Sequence, residues 1–438
     1  MLRLRIIPCA LLLACGSSAT EPSGPAATAP AAAPTSSAPR APANAEPDVP
    51  SGDAAARVAE YARRVEPVVY AFTNGSPILS PDGKKLLFAT TRDGLPQLYV
   101  ADAARPDSPA TRITTPERVL GGESIDGKSI IFLSDVGADE NWSIFKVGLD
   151  GKGMTELTPG EKLQRDWPQW GERKPNQLFF SARKLSSPET TVFALDLAAG
   201  GEPRPVYKDP VQGALVDVSP DGKLGLYQRF TRRTEITLVV VDLATGAARD
   251  LYPTSGQVGI WDGRFSADGK RVFLSTDGGG EESFVLALDS KTGKELARHA
   301  ETSPKTAQVI GIEVSARGNL IAIAVDAGHQ AHVRLLDARS LAVRRTLEMP
   351  AGNGALGEFS RDGKRLTLSW SIPERPGDAY VAATATGKVT LLRADPRPSL
   401  DKLPAVEVQT AEVKSFDGTV VPVNVYLPAG ASGKRLPV

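Results

Sequence analysis

Short apolar runs separated by turn-forming polar clusters fill most of this chain, and they recur at a fixed interval. The clearest copy is FSADGKRVFLSTDGGGEESFVLALD, beginning at Phe265. An apolar residue, Ser, one further residue, Asp-Gly and often Lys open each copy. Asp-Gly suits a tight turn, because Gly accepts positive φ without steric cost and Asp can bond nearby backbone. KRVFLS, rich in β-branched and aromatic residues, predicts a strand. A Gly- and charge-rich turn and a second strand, SFVLALD, follow, and ELARHA predicts a fourth, outer strand.

The openings fall at Asp82-Gly83, Asp126-Gly127, Asp221-Gly222, Asp268-Gly269 and Asp362-Gly363, with weaker copies at Pro175-Asn176 and Arg317-Gly318. Successive spacings are 44, 49, 46, 47, 49 and 45 residues, the length of a four-stranded propeller blade. One such sheet cannot bury both faces alone, so neighbours must stack, and closing the ring removes the need for capping repeats. The expectation is an all-β, seven-bladed propeller over residues 68–395. A two-sheet sandwich of short strands is the competing architecture, but it does not call for a fixed period.

The ends of the chain read differently. Arg3 and Arg5 precede a short apolar run, Ile6 to Leu13, too short to span a bilayer. It closes with Leu12-Leu13-Ala14-Cys15, which resembles the lipobox of bacterial lipoproteins. That resemblance implies acylation of Cys15 after removal of a signal over residues 1–15. Gly16 after the Cys implies, by the usual sorting pattern, the periplasmic face of the outer membrane. A plain secretory signal cleaved elsewhere is the alternative. Residues 16–50 are Ala, Pro, Ser, Thr and Gly with almost no large apolar side chain, the composition of a disordered tether. In residues 51–67, Val58, Tyr61, Ala62 and Val65 share one helical face and Pro67 marks the end, predicting a helix that packs on the propeller edge.

Composition narrows the function. Apolar residues make up 41% of the chain, and Lys+Arg and Asp+Glu are both 51, so no global charge points to nucleic acid. The two cysteines, Cys9 and Cys15, leave the folded body without a disulfide, a Cys-based metal site or a Cys nucleophile. His329 and His332 have a metal-ligand spacing but no third ligand nearby, and D-x-D-x-D-G is absent. No metal or cofactor is expected. Trp142, Trp167, Trp170, Trp261 and Trp370 read as blade-packing residues.

After Arg393 the repeat stops, and ADPRPSLDKLP leads into VEVQTAEVKSFDGTVVPVNVYLPAGASGKRLPV. Alternation predicts strand, Asp417-Gly418 turn, strand. Ser415, Phe416, Asp417, Gly418, Pro422, Tyr426, Pro428, Leu436, Pro437 and Val438 resemble the entry into the α/β-hydrolase domain of the prolyl oligopeptidase family of serine peptidases. The blade repeats resemble the propeller that precedes it there. The resemblance implies that the propeller covers an active site and admits peptides or unfolded ends, while the hydrolase domain cleaves through an acyl-enzyme.

The family's chemistry lies beyond this segment. The sequence holds no G-x-S-x-G elbow and no His-Gly-Gly-Pro, and its three histidines, His299, His329 and His332, all sit in propeller repeats. The expectation is therefore the substrate-gating part of a peptidase, over residues 396–438 an incomplete hydrolase entry, without catalytic residues and inactive alone. Its partners would be peptides once the catalytic domain is supplied, a separate hydrolase polypeptide docking on the tail, and the membrane through the anchor. Residues 404–438 would stay poorly ordered without those partners. Some dipeptidyl members of the family use propeller acids to hold a substrate's amino terminus. Glu281 and Glu282, in the second-to-third-strand hairpin of blade five, are the candidates for that role, on the face opposite the Asp-Gly turns. An exposed charged turn is the plainer reading of the pair. The alternative function is a TolB-like envelope propeller that docks protein partners. A propeller lyase or glycosidase would need an acid and base that the sequence does not single out.

Overall fold

The opening Ser-x-Asp-Gly-Lys builds the same turn in blades one, four, five and seven. In blade one, Ser80 Oγ donates to Asp82 Oδ1 (2.6 Å), Lys84 N donates to the same oxygen (3.0 Å), and Gly83 N donates to Ser80 O (2.7 Å). Gly83 has φ +70, which glycine takes without the Cβ penalty. Ser219–Asp221, Ser266–Asp268 and Ser360–Asp362 repeat the pattern at 2.8, 2.6 and 2.6 Å. The period in the sequence is thus a period of turns, each joining the first two strands of a blade.

In the computed structural model, which describes residues 51–431 apart from 115–117, 125, 233, 254, 302–306 and 402, these turns organise seven four-stranded antiparallel sheets. They are formed by residues 74–112, 118–156, 164–209, 213–252, 260–300, 308–346 and 353–391, blades one to seven. First strands of blades one and two, and of blades four to seven in turn, touch around the axis, as do those of blades seven and one. The all-β seven-bladed propeller is the observed fold. Cys15, the proposed signal and tether, and Leu436, Pro437 and Val438 lie outside the described residues.

Blade three departs from its siblings. Its first strand is Gln164–Arg165, continued only by a bridge from Gln169 to Phe179. Pro168 lies between them and has no N–H to offer a ladder. The first strands of blades one, two, four, five, six and seven each carry a register skip, the mark of a β-bulge. In several of these strands a backbone N–H is taken by the preceding blade, blade seven serving blade one. Ser76 N donates to Ser369 Oγ (2.8 Å) and Leu215 N to Ser181 Oγ (3.0 Å). Phe265 N likewise donates to Asp217 Oδ2 (2.7 Å) and Ile312 N to Asp262 Oδ2 (3.0 Å).

The apolar core divides into seven clusters, one at each junction between blades. The junction of blades seven and one is the thinnest: blade one supplies Leu79, Leu86, Phe88 and Tyr99, but the other side gives Ala379, Leu392 and Val381. No strand is shared across it. A buried charged clasp takes up the difference. Asn74 Nδ2 donates to both Asp378 Oδ1 and Asp395 Oδ2 (2.9 Å each). Arg92 pairs with Asp395 at 2.8 Å, and Arg397 with Asp378 at 2.8 Å. Arg393 also pairs with Asp395 and donates to Ser108 O (2.8 Å). Residues following the last blade therefore close the ring.

One titrating group inside a blade has a measurable consequence. Burial pushes the Asp166 carboxyl up to about 6, against the opposing hydrogen bond from Ser181 Oγ (2.6 Å). The folded state then binds a proton between about pH 4 and 6 that the unfolded chain releases, so stability falls as pH rises through that window. Asp166 keeps partial solvent contact, which reduces the effect to about 1–2 kcal/mol. Asp166→Asn should raise the urea midpoint at pH 7 and flatten this dependence. An unchanged pH profile would contradict it.

The helix spans Gly52–Val69 and belongs to a unit distinct from that of the blades. Pro67 lies inside it rather than ending it. A proline in the last turn removes one backbone donor, and Tyr70 N still closes on Glu66 O (3.0 Å).

Candidate substrate face of the propeller

Strand direction sorts the loops onto two faces. The Asp-Gly turns share one. The second-to-third-strand hairpins share the other, where the chain also enters blade one at Asn74 and leaves blade seven after Leu391. The tail hairpin, Val406–Lys414 paired with Val420–Pro428 through nine residue pairs, settles on that second face. Asn424 Nδ2 donates to His329 O (3.0 Å). Pro422 lies so close to Gly328 that a Cβ there would come within 2.7 Å of its ring. Residues 406–428 thus form the predicted strand, turn and strand, and the hairpin touches the blade-six loop. The blade-six contact is a partner that alternation alone could not reveal.

Glu281 and Glu282 lie on this tail face, in the loop between Arg271–Thr276 and Phe284–Asp289. Both are exposed. Their loop is held at both ends: Gly259 N and Gly279 N each donate to Asp277 Oδ1 (2.8 Å), and Gln308 Nε2 from blade six donates to Glu281 O (3.3 Å). Gly279 has φ +83 and faces Gln257 O, which a Cβ would approach to 2.8 Å. A depression of about 530 Å³ opens beside the acids, lined among others by Tyr252, Phe284 and Arg298. Arg298 stacks 4.1 Å from the Phe284 ring centroid and pairs with Glu295 at 2.9 Å.

The remaining candidates fall elsewhere. His329 is in the blade-six loop under the tail hairpin, and His332 begins the strand Ala331–Asp337. Burial and then the Arg334 charge lower the His332 pKa. His299 bonds Glu301 (3.1 Å), which Arg334 also holds (2.7 Å). Trp170 and Trp370 are buried in blade junctions as expected. Trp142 lies under Arg118, and Trp167 donates to Glu123 Oε2 (3.3 Å). Trp261 does not pack between blades: it is 42% exposed on an innermost strand.

Sequence reasoning also passed over the charges lining the axis. Asp217, Arg264, Glu313 and Glu358 border a cavity of about 60 Å³ near the Asp-Gly face. Each stands five residues before the turn glycine of its blade, a periodic signal that was available in the repeat. Asp217 gives its carboxylate to the neighbouring blade's backbone, which makes this layer part of the ring's cohesion.

Comparison with known proteins bears on what such a face serves. No family model matches the chain. It is 24% identical over 365 residues to dipeptidyl aminopeptidase BIII of Pseudoxanthomonas mexicana, covering 82% of this chain and 52% of that protein. Among solved structures it is similar to a prolyl endopeptidase, with a TM-score of 0.66 at 16% identity, covering 85% of this chain and 57% of the other. It is also similar to prolyl oligopeptidase B of Galerina marginata, with a TM-score of 0.62 at 14% identity, covering 86% and 58%. The chain spans little more than half the length of these relatives. They do not favour a TolB-like binding module. With seven blades in the same arrangement and a sequence match running through them, the chain is similar to peptidases of the prolyl oligopeptidase type.

Proposed function

We propose that this chain is the substrate-handling part of a prolyl-oligopeptidase-type serine peptidase, with an α/β-hydrolase domain continuing from the tail hairpin to carry out the hydrolysis. The observation that carries this reading is where the hairpin lies. Its Ser415-Phe416-Asp417-Gly418 turn closes through Gly418 N to Ser415 O (3.0 Å), and its second strand rests on the blade-six loop at Gly328 and His329. A domain built onward from Pro428 then stands on the tail face, on the same side as Glu281 and Glu282. In this reading the two carboxylates receive the ammonium group of a peptide's amino terminus. The loop's anchorage to blades five and six keeps the acids in place without ordering cost at binding.

Charge-assisted hydrogen bonds contribute about 1.5–3 kcal/mol each, so losing them costs tenfold or more in affinity. Calorimetric titration of the full chain should find the unblocked tripeptide Gly-Phe-Ala amide binding at least about tenfold tighter than its N-acetyl form. The double substitution Glu281→Gln, Glu282→Gln should erase that preference. Equal binding of the free and acetylated peptides by the unaltered chain would remove the amine-holding role.

A further inference from the structure

Blade five places a second feature beside the acidic loop. Its innermost strand, Ile260–Phe265, pairs Ile260 with Thr276 and then Asp262 with Ser275, so that Trp261 is the residue left over by the bulge. A bulge turns its extra residue away from the ladder. Ile260 and Asp262 on either side are buried, and Asp262 reaches into blade six. Trp261 stands out at 42% exposed and belongs to none of the apolar clusters among the described residues. A large aromatic on an innermost strand that packs against no core needs another reason for its place.

The surroundings supply one. Two residues before Trp261, Gly259 accepts a hydrogen bond from Thr276 Oγ1 (2.7 Å) and donates to Asp277 Oδ1 (2.8 Å). Asp277 opens the loop that carries Glu281 and Glu282. On the adjoining innermost strand of blade six, the bulge residue is Ile310, half-buried between the paired Val309 and Gly311. Gln308 on that strand holds Glu281 O. Trp261 and the anionic loop thus lie at the same end of blade five, joined through the hydrogen bonds of Gly259 to Thr276 and Asp277.

We propose that Trp261 is a binding platform for an aromatic or large apolar side chain near the amino terminus of a peptide whose ammonium group is held at Glu281 and Glu282. The proposal rests on the substrate-handling reading given above and adds a side-chain preference to it. The indole offers a flat apolar face with π density, which favours stacked or edge-on aromatic partners. A peptide carrying both an amine and an aromatic side chain would match the indole and the loop together, and one lacking the ring would gain from the loop alone.

The test uses the full chain with Gly-Phe-Ala amide and Gly-Gly-Ala amide as probes. Calorimetry should find the first bound about tenfold tighter. Trp261→Ala should cost that factor for Gly-Phe-Ala amide and leave Gly-Gly-Ala amide unchanged, while Trp261→Phe, which keeps a ring, should retain most of it. Because Trp170 and Trp370 are buried, acrylamide quenching reports chiefly on exposed indole, and Gly-Phe-Ala amide should protect it in the unaltered chain. The unfolding midpoint of Trp261→Ala should match the parent, as expected for an exposed position. Equal affinity for the two peptides, or full retention in Trp261→Ala while the glutamate substitutions still weaken binding, overturns the platform and leaves the amine site standing. Failure of both peptides to bind overturns both.

Discussion

Replacing Asp395 by alanine should cost the propeller about 3–5 kcal/mol, the range for breaking a buried ion pair by removing one partner. Asp395 receives Asn74, Arg92 and Arg393 at once, and Arg393 and Asn74 are themselves almost wholly buried. Without the carboxylate, guanidinium and amide groups lose their acceptor in a place water reaches poorly. The apolar cluster at this junction draws little from blade seven, so packing cannot compensate. Burial alone would raise the Asp395 pKa, but the Arg393 and Arg92 charges outweigh it and hold the carboxyl below its ordinary value. A carboxyl with a depressed folded pKa contributes stability above its unfolded pKa and loses it as pH falls through the folded one. The parent chain should therefore lose this contribution in acid, and Asp395→Ala should show a smaller acid loss. Urea denaturation at pH 7 and at pH 3 measures both. A midpoint at pH 7 unchanged by the substitution would mean that the seam is held by something else.

A loss of similar size, about 3–5 kcal/mol, should follow Trp370→Ala. Trp370 fills the junction of blades six and seven with Leu335, Leu347, Leu368 and Tyr380, and its Nε1 donates to Pro350 O (3.0 Å). The segment Gly352-Asn353-Gly354 is shaped around it: a Cβ on Gly354 would fall 2.6 Å from Trp370 Cε3, and one on Gly352 would fall 2.0 Å from Ser371 O. Backbone approaching an indole this closely cannot fill the space the indole leaves, because the flanking strands fix it. The cavity term should thus be near its full value. Trp370→Phe should lose less, keeping ring volume but freeing Pro350 O. Equal midpoints for Trp370→Ala and the parent would show that the junction collapses around the gap.

The blades were legible because turn chemistry is local. Ser, Asp and Gly within four residues determine the first turn of most blades, and no distant partner is needed to read them. The outermost strands were less so: Thr111–Arg112 and Thr155–Glu156 are two residues each, too short for alternation to mark. The clasp was hidden for a different reason. Arg393, Asp395 and Arg397 read as a polar connector after the last repeat, and their partners Asn74 and Arg92 lie at the other end of the propeller. Trp261 was grouped with Trp170 and Trp370 because residue type alone does not say whether a bulge turns an indole outward. Glu281 and Glu282 were placed on the correct hairpin, while the side on which the tail docks needed the contact from Asn424 to His329 to be known.

The clasp also sets an order of events during synthesis. Every ladder pairs residues within one uninterrupted stretch of chain, so a blade is complete as soon as its own last strand has left the ribosome. Such local pairing carries little loop-closure entropy. Asn74 and Asp395, by contrast, are 321 residues apart. Blade one must wait, with one flank uncovered, until residues 393–397 have been made. The ring is consequently assembled in sequence and sealed last, and the exposed flank of blade one is the surface a nascent-chain chaperone would meet for longest.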